Sequence, residues 1–385
     1  MKTLVLGGYG NFGARICRAL ARDADIELRV AGRDASRAQA FADTLGGNAR
    51  GVAIDLVAPD FTRRLRALGV GLVIHTAGPF QAQSYSVAHS AAQAGAHYID
   101  LADGRRFVCD FPAALHDTFA HADRVAITGA STVPALSSAV IEHLSRGWQA
   151  LHAIDMCIAP AQTAPRGKAT LASVLSYCGK PIGLWRDGAW THAPGWAAPT
   201  RVTFKRLRPR IGALCDIPDL ELFPARYRVR DTVMFRAALE VAATQRVFAG
   251  FAALHRVGLL PRPERLAGLL DRVSALADPF GTALGGMVVR IDGLDANGSP
   301  ARRVWHIAAD DDHGPEIPCM ATILLARRLA AGDAMTPGAY TAAGQLPLDA
   351  FAPEFAKWDM VTDVEDDMPD APRTTGATRT TAASA

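Results

Sequence analysis

The stretch Gly7-Gly8-Tyr9-Gly10-Asn11-Phe12-Gly13 decides the fold of the first part of the chain. It carries the pattern G-x-G-x-x-G and follows an apolar run at residues 3–6 that is typical of a strand. Apolar side chains then recur every four residues over residues 12–20, as on one face of a helix. A glycine-rich turn between a strand and a helix predicts a βαβ unit that holds a dinucleotide, whereas the pattern without that context is a weak signal.

Each glycine of the pattern has its own physical role. Gly8 makes the tight turn, Gly10 lets the backbone approach a pyrophosphate, and Gly13 lets the helix pack close to the strand. The free N–H groups and the partial positive charge at the helix N-terminus then bind phosphate. The alternative interpretation is a plain glycine-rich turn. We favour the dinucleotide turn because a strand and a helix stand where it requires them.

The end of the second predicted strand selects between the two nicotinamide dinucleotides. Binders of NAD usually carry Asp or Glu at this point, which holds the ribose 2′-hydroxyl. Here the chain reads Val30-Ala31-Gly32-Arg33-Asp34, so Gly32 leaves room and the Arg33 guanidinium can clamp a 2′-phosphate. Arg37 follows one helical turn later. A charge-assisted hydrogen bond predicts a preference of about 10- to 100-fold for NADP(H). The alternative is Asp34 on a ribose hydroxyl.

Two further strand ends face the same crevice, because the carboxyl ends of parallel strands meet at one edge of a sheet. Asp55 follows the third predicted strand, where it can accept from the adenine amino group or cap the next helix. After the fourth strand, the small residues at 76–79 let a cofactor lie on the backbone and Phe80 can wall it in; a tight turn is the alternative. The residues predicted to bind the cofactor are Gly8, Gly10, Asn11, Phe12, Gly13, Arg33, Asp55, Ala77, Gly78, Pro79 and Phe80.

Strands and helices alternate over the first 145 residues. Six apolar runs predict strands, at residues 3–6, 27–31, 52–54, 72–75, 97–101 and 125–128. Strands separated by helices of about 10 to 15 residues predict right-handed crossovers and a parallel sheet. The predicted fold class is therefore α/β, with a Rossmann-type doubly wound parallel sheet.

The pattern changes near residue 151. Alternating segments predict a second, mixed or antiparallel sheet, with strands at residues 153–158, 202–207, 287–292 and 303–308. Helical patterns interrupt it at residues 168–177 and 233–276, and another follows at 315–329. We therefore predict a Rossmann domain at residues 1–145, an inserted α+β substrate and dimerisation domain at 146–310, a return to the Rossmann domain at 311–362, and a disordered tail at 363–385.

Composition and charge exclude several classes of protein. With 49% hydrophobic and 21% charged residues among 385, the chain has ample material for a buried core and is not a disordered chain. Its formal net charge of +3 gives no reason to expect nucleic acid as a partner. Six cysteines without a C-x-x-C pair, and the absence of a signal-peptide pattern, predict a cytoplasmic protein. No metal site is predicted, since the adjacent acids at residues 310–312 rarely converge on one ion.

Several of these segments together resemble the saccharopine dehydrogenase-like oxidoreductases, the family with a saccharopine dehydrogenase NADP-binding domain. The resemblance spans residues 1–145 and, more loosely, 310–360. It rests on the glycine turn and on Ala31-Gly32-Arg33, Ala77-Gly78-Pro79-Phe80, His97-Tyr98-Ile99-Asp100-Leu101, Gly129-Ala130-Ser131 with Pro134, and His313-Gly314-Pro315-Glu316-Ile317-Pro318. It implies a Rossmann-type domain, an inserted substrate domain, a late helix that returns to the first domain, and hydride transfer with NADP(H).

Hydride transfer needs a proton donor beside the nicotinamide, and two residues are candidates. His313 precedes the predicted late helix, whose dipole disfavours the imidazolium although the neighbouring aspartates favour it; the alternative role is a helix cap. Asp103 follows the fifth predicted strand, where it can position a substrate or relay a proton, or cap the next helix. The family often has a Gly-Glu pair here, where this chain reads Ala102-Asp103-Gly104. We predict His313 and Asp103 as the catalytic residues.

The predicted function is that of an NADP(H)-dependent oxidoreductase that transfers hydride to or from a small C=N, C=O or activated C=C substrate. The alternative is a non-catalytic NADP(H)-binding regulatory or scaffold protein, because the sequence offers no clear acid–base pair. Apolar side chains over residues 247–270 are too many for a solvated surface. They predict core or a homodimer interface, with contact to a membrane surface as the less favoured alternative.

Overall fold

Two β-sheets, one in each half of the fold, position the site. The structure is a computed structural model, which describes residues 1–165, 168–260 and 275–367, together with residues 266, 268 and 272. The elements below are those of the described residues.

The first sheet is parallel throughout and has seven strands in the described part of the chain. They are β1 (Lys2–Leu6), β2 (Glu27–Gly32), β3 (Arg50–Ala53), β4 (Leu72–His75), β5 (His97–Asp100), β6 (Val125–Thr128) and β15 (Gly338–Thr341). Their order across the sheet is β3-β2-β1-β4-β5-β6-β15. The first six follow the Rossmann order, which confirms the predicted fold class.

Helices connect these strands and cover both faces of the sheet. They are α1 (Asn11–Leu20), α2 (Ala35–Leu45), α3 (Phe61–Leu68), α4 (Ser86–Gln93), α5 (Arg105–His121) and α6 (Ser137–Leu144). Strands β4 and β6 are buried over their whole length, as expected for strands covered on both sides. The predicted face of α1 is buried through Ile16 and Leu20.

The second sheet is mixed, and nine of its strands lie among the described residues. They are β7 (Ala150–Ala159), β8 (Pro181–Arg186), β9 (Ala189–Pro194), β10 (Thr200–Val202), β11 (Arg210–Leu214), β12 (Thr232–Leu239), β13 (Gly285–Leu294), β14 (Pro300–Ala309) and β16 (Val361–Asp367). Strand β7 pairs parallel with β12 and antiparallel with β13. The main path runs β10-β11-β12-β7-β13-β14-β16, and β8 and β9 attach beside β12. The predicted mixed sheet is thereby confirmed.

Two predicted elements of this half are wrong. The helix predicted over residues 233–276 begins as strand β12, and helix α9 occupies only Ala242–Arg256. A short apolar run that is buried between neighbouring strands cannot be told from a buried helix by its periodicity. The strand predicted over 202–207 ends at Val202. Its apolar side chains Phe204 and Leu207 instead pack on the outer face of the sheet.

The apolar segment at 247–270 is only partly described. Helix α9 buries Phe248, whose ring lies 5.1 Å from that of Trp196, while Val247 and Leu254 are exposed. Residues 261–265, 267, 269 and 270 lie outside the described residues. Among the helices that the structure describes, none has the length and apolar character needed to cross a membrane.

The chain returns to the first sheet through helix α10 (Ile317–Ala330), as the family resemblance implies. Arg15 of α1 forms an ion pair with Glu316 at 3.0 Å. The buried Thr322 hydroxyl donates to the carbonyl of Ala130 at 2.7 Å. Strand β15 then extends the parallel sheet beside β6, and the short helix α11 (Ala352–Lys357) follows. The last stretch therefore belongs in part to the Rossmann fold.

The final described segment is strand β16, which pairs antiparallel with β14 of the second sheet. The predicted disordered tail at 363–385 therefore begins inside a strand, and residues 368–385 lie outside the described residues. The acidic residues that suggested a tail have basic partners: Arg206 binds Asp363 at 2.7 Å, and Lys205 binds Glu365 at 2.5 Å. Composition alone carries no sign of these long-range pairs.

The buried Asp219 of helix α8 (Asp219–Arg226) makes the free energy of unfolding depend on pH. It is fully buried and accepts a hydrogen bond from Ser137 at 2.5 Å, while its Oδ1 has no partner in the described structure. Burial raises its pKa to about 7. Because the folded state then holds the proton more tightly than the unfolded chain, the stability contributed by this group is full at low pH and falls as the pH rises from about 4 to about 7.

We expect Asp219→Asn to match the wild type in free energy of unfolding near pH 4 and to exceed it at pH 8. Urea unfolding across this range measures the difference between the two proteins. Asp110→Asn, at an exposed position of α5, is the control and should leave the pH dependence of the free energy of unfolding unchanged. A constant difference between Asp219→Asn and the wild type at all pH values contradicts the assignment.

Candidate functional site

The glycine turn between β1 and α1 is held by backbone contacts that leave no room for side chains. The N–H groups of Gly7 and Gly8 both donate to the carbonyl of Ala31, at 2.9 and 3.0 Å. A Cβ at Gly13 would stand 2.2 Å from the Gly7 carbonyl oxygen, and one at Gly8 would stand 2.9 Å from the Val5 carbonyl oxygen. The first turn of α1 therefore lies directly on the strand, as the pattern predicts.

The N-terminus of α1 is left open toward the crevice. Its N-cap residue is Gly10, which has no side chain to cap the helix. The Gly10 N–H donates to the Gly7 carbonyl at 2.8 Å, and the first intrahelical bond runs from Ala14 to Gly10. The N–H groups of Asn11, Phe12 and Gly13 belong to the first turn, which has no intrahelical acceptors for them, so they can bind an anion.

The turn after β4 lies beside the glycine turn. The Thr76 hydroxyl donates to the Leu6 carbonyl at 2.8 Å, and the Gln83 side-chain amide donates to the carbonyls of Ala77 and Pro79 at 2.8 and 2.9 Å. The predicted contact of this backbone with a cofactor stays a prediction. Phe80 does not wall in a cofactor as predicted. Its ring is buried in the core, 5.4 Å from the ring of Phe107. It packs there because the apolar faces of α4 and α5 surround it.

Two arginines follow β2, Arg33 directly and Arg37 in the first turn of α2. Arg33 is exposed, and Arg37 places its guanidinium over the Tyr9 ring at 4.9 Å. The space beside Gly32 is filled by that ring, since a Cβ at Gly32 would stand 2.3 Å from it. Gly32 therefore makes room for Tyr9, and not directly for a cofactor as predicted. The Asp34 carboxylate accepts from the Arg37 N–H at 3.0 Å and caps α2. These contacts fix the position of Arg37, while the Arg33 side chain is exposed.

Asp55 is exposed at the end of β3. Its carboxylate accepts from the Val57 N–H at 3.2 Å, which caps a turn. The N-cap residue of α3 is Asp60, so the helix-cap alternative for Asp55 is wrong. Its second carboxylate oxygen is left for other partners.

Asp103 lies where the two sheets meet. It accepts from the Gln81 side-chain amide at 3.1 Å and from the Ser173 hydroxyl of helix α7 (Lys168–Tyr177) at 2.8 Å. The Gln81 amide also contacts Ser173. Burial raises the pKa of Asp103, although these two hydrogen bonds lower it. The sequence does not reveal these partners of Asp103, and its role at the crevice stays a prediction.

Other contacts fix the second domain over the crevice. Arg105, at the start of α5, binds Asp216 at 3.1 Å, Glu221 at 2.9 Å and the Gly183 carbonyl at 2.8 Å. On the opposite side, the Asn11 amide donates to the Pro165 carbonyl at 3.4 Å. The loop after β7 therefore lies beside the N-terminus of α1, and polar contacts join the domains on both sides of the crevice.

A buried polar group lies beneath the crevice, at the ends of β4 and β5. The His75 Nδ1 lies 3.1 Å from the Tyr98 hydroxyl. Asp100 accepts from the N–H groups of Ala102 and Gly129, each at 2.9 Å. Burial lowers the pKa of His75 to about 4 and raises that of Asp100 to about 6. Asp100 thereby fixes the loop that carries Asp103.

His313 is not brought to Asp103. Its Nδ1 lies 3.3 Å from the Trp358 carbonyl, and its ring packs on the Trp358 indole at 4.9 Å. It is the N-cap residue of the short helix Gly314–Glu316. Among the described residues, no hydrogen bond or ring contact joins His313 to Asp103. The two predicted catalytic residues therefore do not form a pair.

Residues 3–132 match the model of a protein family, described as the saccharopine dehydrogenase NADP binding domain. The match covers most of the predicted N-terminal domain. The resemblance predicted from the sequence is thereby confirmed. The match supports a nicotinamide dinucleotide cofactor and an oxidoreductase activity. No curated protein sequence matches the chain.

The fold of the whole chain is similar to that of solved structures. Saccharopine dehydrogenase (L-Glu forming) from Saccharomyces cerevisiae has a TM-score of 0.65 and 13% identity, over 95% of this chain and 99% of that chain. Homospermidine synthase from Legionella pneumophila, in complex with NAD, has a TM-score of 0.57 and 10% identity, over 98% and 94%. At these identities the likeness concerns the fold.

The N-terminal domain fits a dinucleotide on geometric grounds. Gly10 meets only the Gly7 carbonyl oxygen, at 3.0 Å from an added Cβ, so the approach to the helix N-terminus is free of side chains. Three residues of the site were missed by the sequence analysis, namely Tyr9, Gln81 and Ser173. Of these three, Tyr9 lies in the glycine-rich turn, but no spacing rule predicts that its ring packs against Gly32.

Alanine substitutions separate the two roles of the glycine turn. Gly13→Ala forces a Cβ against the Gly7 carbonyl and should lower the free energy of unfolding by about 1–3 kcal/mol. Gly10→Ala keeps an ordinary φ of −82° and should affect stability less, but its methyl group obstructs the pyrophosphate. We expect its affinity for NADPH to fall about tenfold or more. Urea unfolding and fluorescence titration with NADPH measure both; Gly10→Ala binding as tightly as the wild type contradicts the placement.

Proposed function

We propose that the protein is an NADP(H)-dependent oxidoreductase of the saccharopine dehydrogenase-like type. It transfers hydride to or from a small substrate with a C=N, C=O or activated C=C bond, held between the two sheets. The observation that carries the proposal is Arg33 directly after β2 and Arg37 in the first turn of α2, beside a glycine turn that leaves the N-terminus of α1 without a capping side chain, in a region that matches an NADP-binding family model.

The cofactor lies along the carboxyl edge of the first sheet in this proposal. Its pyrophosphate binds the N–H groups of the first turn of α1, and its 2′-phosphate binds the exposed guanidinium of Arg33. Arg37, held on the Tyr9 ring, adds a second positive charge. The turn at Ala77–Pro79 and the Asp55 carboxylate line the remaining edge. The Asp34 carboxylate caps α2 through one oxygen, which favours Arg33 over Asp34 as the group that contacts the ribose 2′ position.

When bound, the cofactor supplies or accepts a hydride at its nicotinamide ring. The chain's own contribution is to hold the substrate and to manage one proton. Asp103 lies in the crevice with a raised pKa, so it can hold a proton and give it to the heteroatom or carbon that the reduction leaves negative. Gln81 and Ser173 orient its carboxylate. Asp100 fixes the loop from beneath.

A non-catalytic NADP(H)-binding protein is the second candidate. It is favoured by one observation: both oxygens of Asp103 are already engaged by side chains, and His313 is engaged by Trp358. A regulatory role would need only the cofactor and the contacts between the domains. NADPH oxidation, followed by absorbance over panels of imines, keto acids and enoyl compounds, separates the two candidates. Tight NADPH binding without turnover of any panel favours the regulatory protein.

Arg33→Ala tests the choice of cofactor. Because the guanidinium faces a group that NADPH has and NADH lacks, its loss should weaken NADPH binding by about 10- to 100-fold and leave NADH binding nearly unchanged. Dissociation constants from fluorescence titration measure both. Arg63→Ala, at an exposed position of α3 in the same domain, is the control. Equal losses for the two dinucleotides contradict the assignment of Arg33.

Asp103→Asn tests the proton donor. Reduction by NADPH needs the protonated acid, so the wild-type rate should fall as the pH rises through the raised pKa of Asp103. The amide cannot give up a proton, so the variant should be slower by about 100-fold and should lose this pH dependence. Initial rates of reduction between pH 5 and 9 measure it, with Asp110→Asn as the control. If Asp103→Asn keeps the wild-type rate and its pH dependence, Asp103 is not the proton donor.

A further inference from the structure

The outer face of the second sheet carries a cavity that the proposed function does not use. Its volume is about 780 Å³, within the range of sites for small molecules. Strands β7, β12, β13 and β14 form its floor, and the segment at 203–205 covers one side. None of the residues predicted to bind the cofactor lines it.

The strand register brings three arginines together on this floor. Arg290 of β13 stands opposite Asp155 of β7, and Asp155 stands opposite Met234 of β12. Arg236 follows Met234 by two residues, so both side chains project from the same face. Arg302 of β14 stands opposite Asp292 of β13. Guanidinium groups from three strands thus line one cavity.

Two of these guanidinium groups are incompletely paired among the described residues. Arg236 binds Asp155, but its buried Nε has no hydrogen-bond partner in the described structure. Within the same part of the chain, Arg290 forms an ion pair with Asp155 at 3.6 Å, which is too long for a hydrogen bond. A buried donor without an acceptor is costly. An oxyanion in the cavity would give both guanidinium groups an acceptor in addition to Asp155.

Charge and shape narrow the class of anion. Four cationic and three carboxylate side chains line the cavity, which leaves one positive charge when His306 is neutral. Burial lowers the pKa of His306, so it is neutral near pH 7. A monoanion balances this charge better than a phosphate dianion does. The lining is mostly polar, and Phe204, Met234 and Val304 supply its small apolar part.

We propose that this cavity binds a small organic acid, whose carboxylate lies against Arg236 and Arg290 and whose apolar body lies on Phe204 and Met234. A planar carboxylate matches the fork of a guanidinium group and can accept two parallel hydrogen bonds. The site is separate from the dinucleotide crevice, so it does not depend on the proposed oxidoreductase activity.

Calorimetric titration of the full chain with butyrate, hexanoate and octanoate tests the proposal. We expect hexanoate to bind and n-hexanol, which has no charge, to bind more weakly. Arg290→Met keeps most of the unbranched apolar stem, removes the guanidinium group and should weaken hexanoate binding by about tenfold or more. Arg290→Lys keeps a positive charge without the planar guanidinium group, so its affinity for hexanoate should lie between those of the wild type and Arg290→Met. Arg208→Met, exposed in the same domain, is the control and should bind as the wild type does.

Two further measurements keep the outcome decisive. Thermal unfolding and NADPH titration of Arg290→Met should match the wild type, which shows that the fold and the dinucleotide site are intact. Arg236→Met provides a second variant if Arg290→Met does not fold. No binding of any of the three acids, or equal binding by Arg290→Met and Arg208→Met, overturns the proposal. A wild-type dimer that Arg290→Met dissociates in sedimentation also overturns it, since the face is then an interface between copies.

Discussion

The contact between Gly13 and the carbonyl oxygen of Gly7 sets the position of everything at the crevice. Only a residue without a side chain lets α1 start directly on β1, where an added Cβ would stand 2.2 Å from that oxygen. The helix N-terminus thereby points across the carboxyl edge of the parallel sheet. Thr76 ties the end of β4 to β1 at the same place, through its bond to Leu6. The cofactor edge of the domain is built outward from this contact.

The second sheet completes the crevice through a small number of polar contacts. Asp103 meets Ser173 of the second domain, and Arg105 binds both Asp216 and Glu221. These groups are charged or polar and lie at the boundary between the domains, so they define a preferred arrangement in addition to the apolar core that the two domains share. A substrate that enters there must exchange hydrogen bonds with Asp103. The same residue therefore links domain arrangement to the proposed chemistry.

The sequence predicted well what depends on local patterns. The glycine turn, the six strands of the first domain and the position of Arg33 follow from spacing within about thirty residues, which is the span of a βαβ unit. It failed where the outcome depends on distant partners. Residues 232–239 are a strand because β7 and β11 flank them, and β16 exists because β14 pairs with it. Phe80 turned inward because α4 and α5 form its surroundings.

A crystal structure of the full chain with NADP⁺ bound tests the central claim most directly. The account predicts the 2′-phosphate within hydrogen-bond distance of the Arg33 guanidinium, the pyrophosphate on the first turn of α1, and the nicotinamide ring on the side of the crevice that holds Asp103. A 2′-phosphate directed away from Arg33, or a nicotinamide ring remote from Asp103, would contradict it.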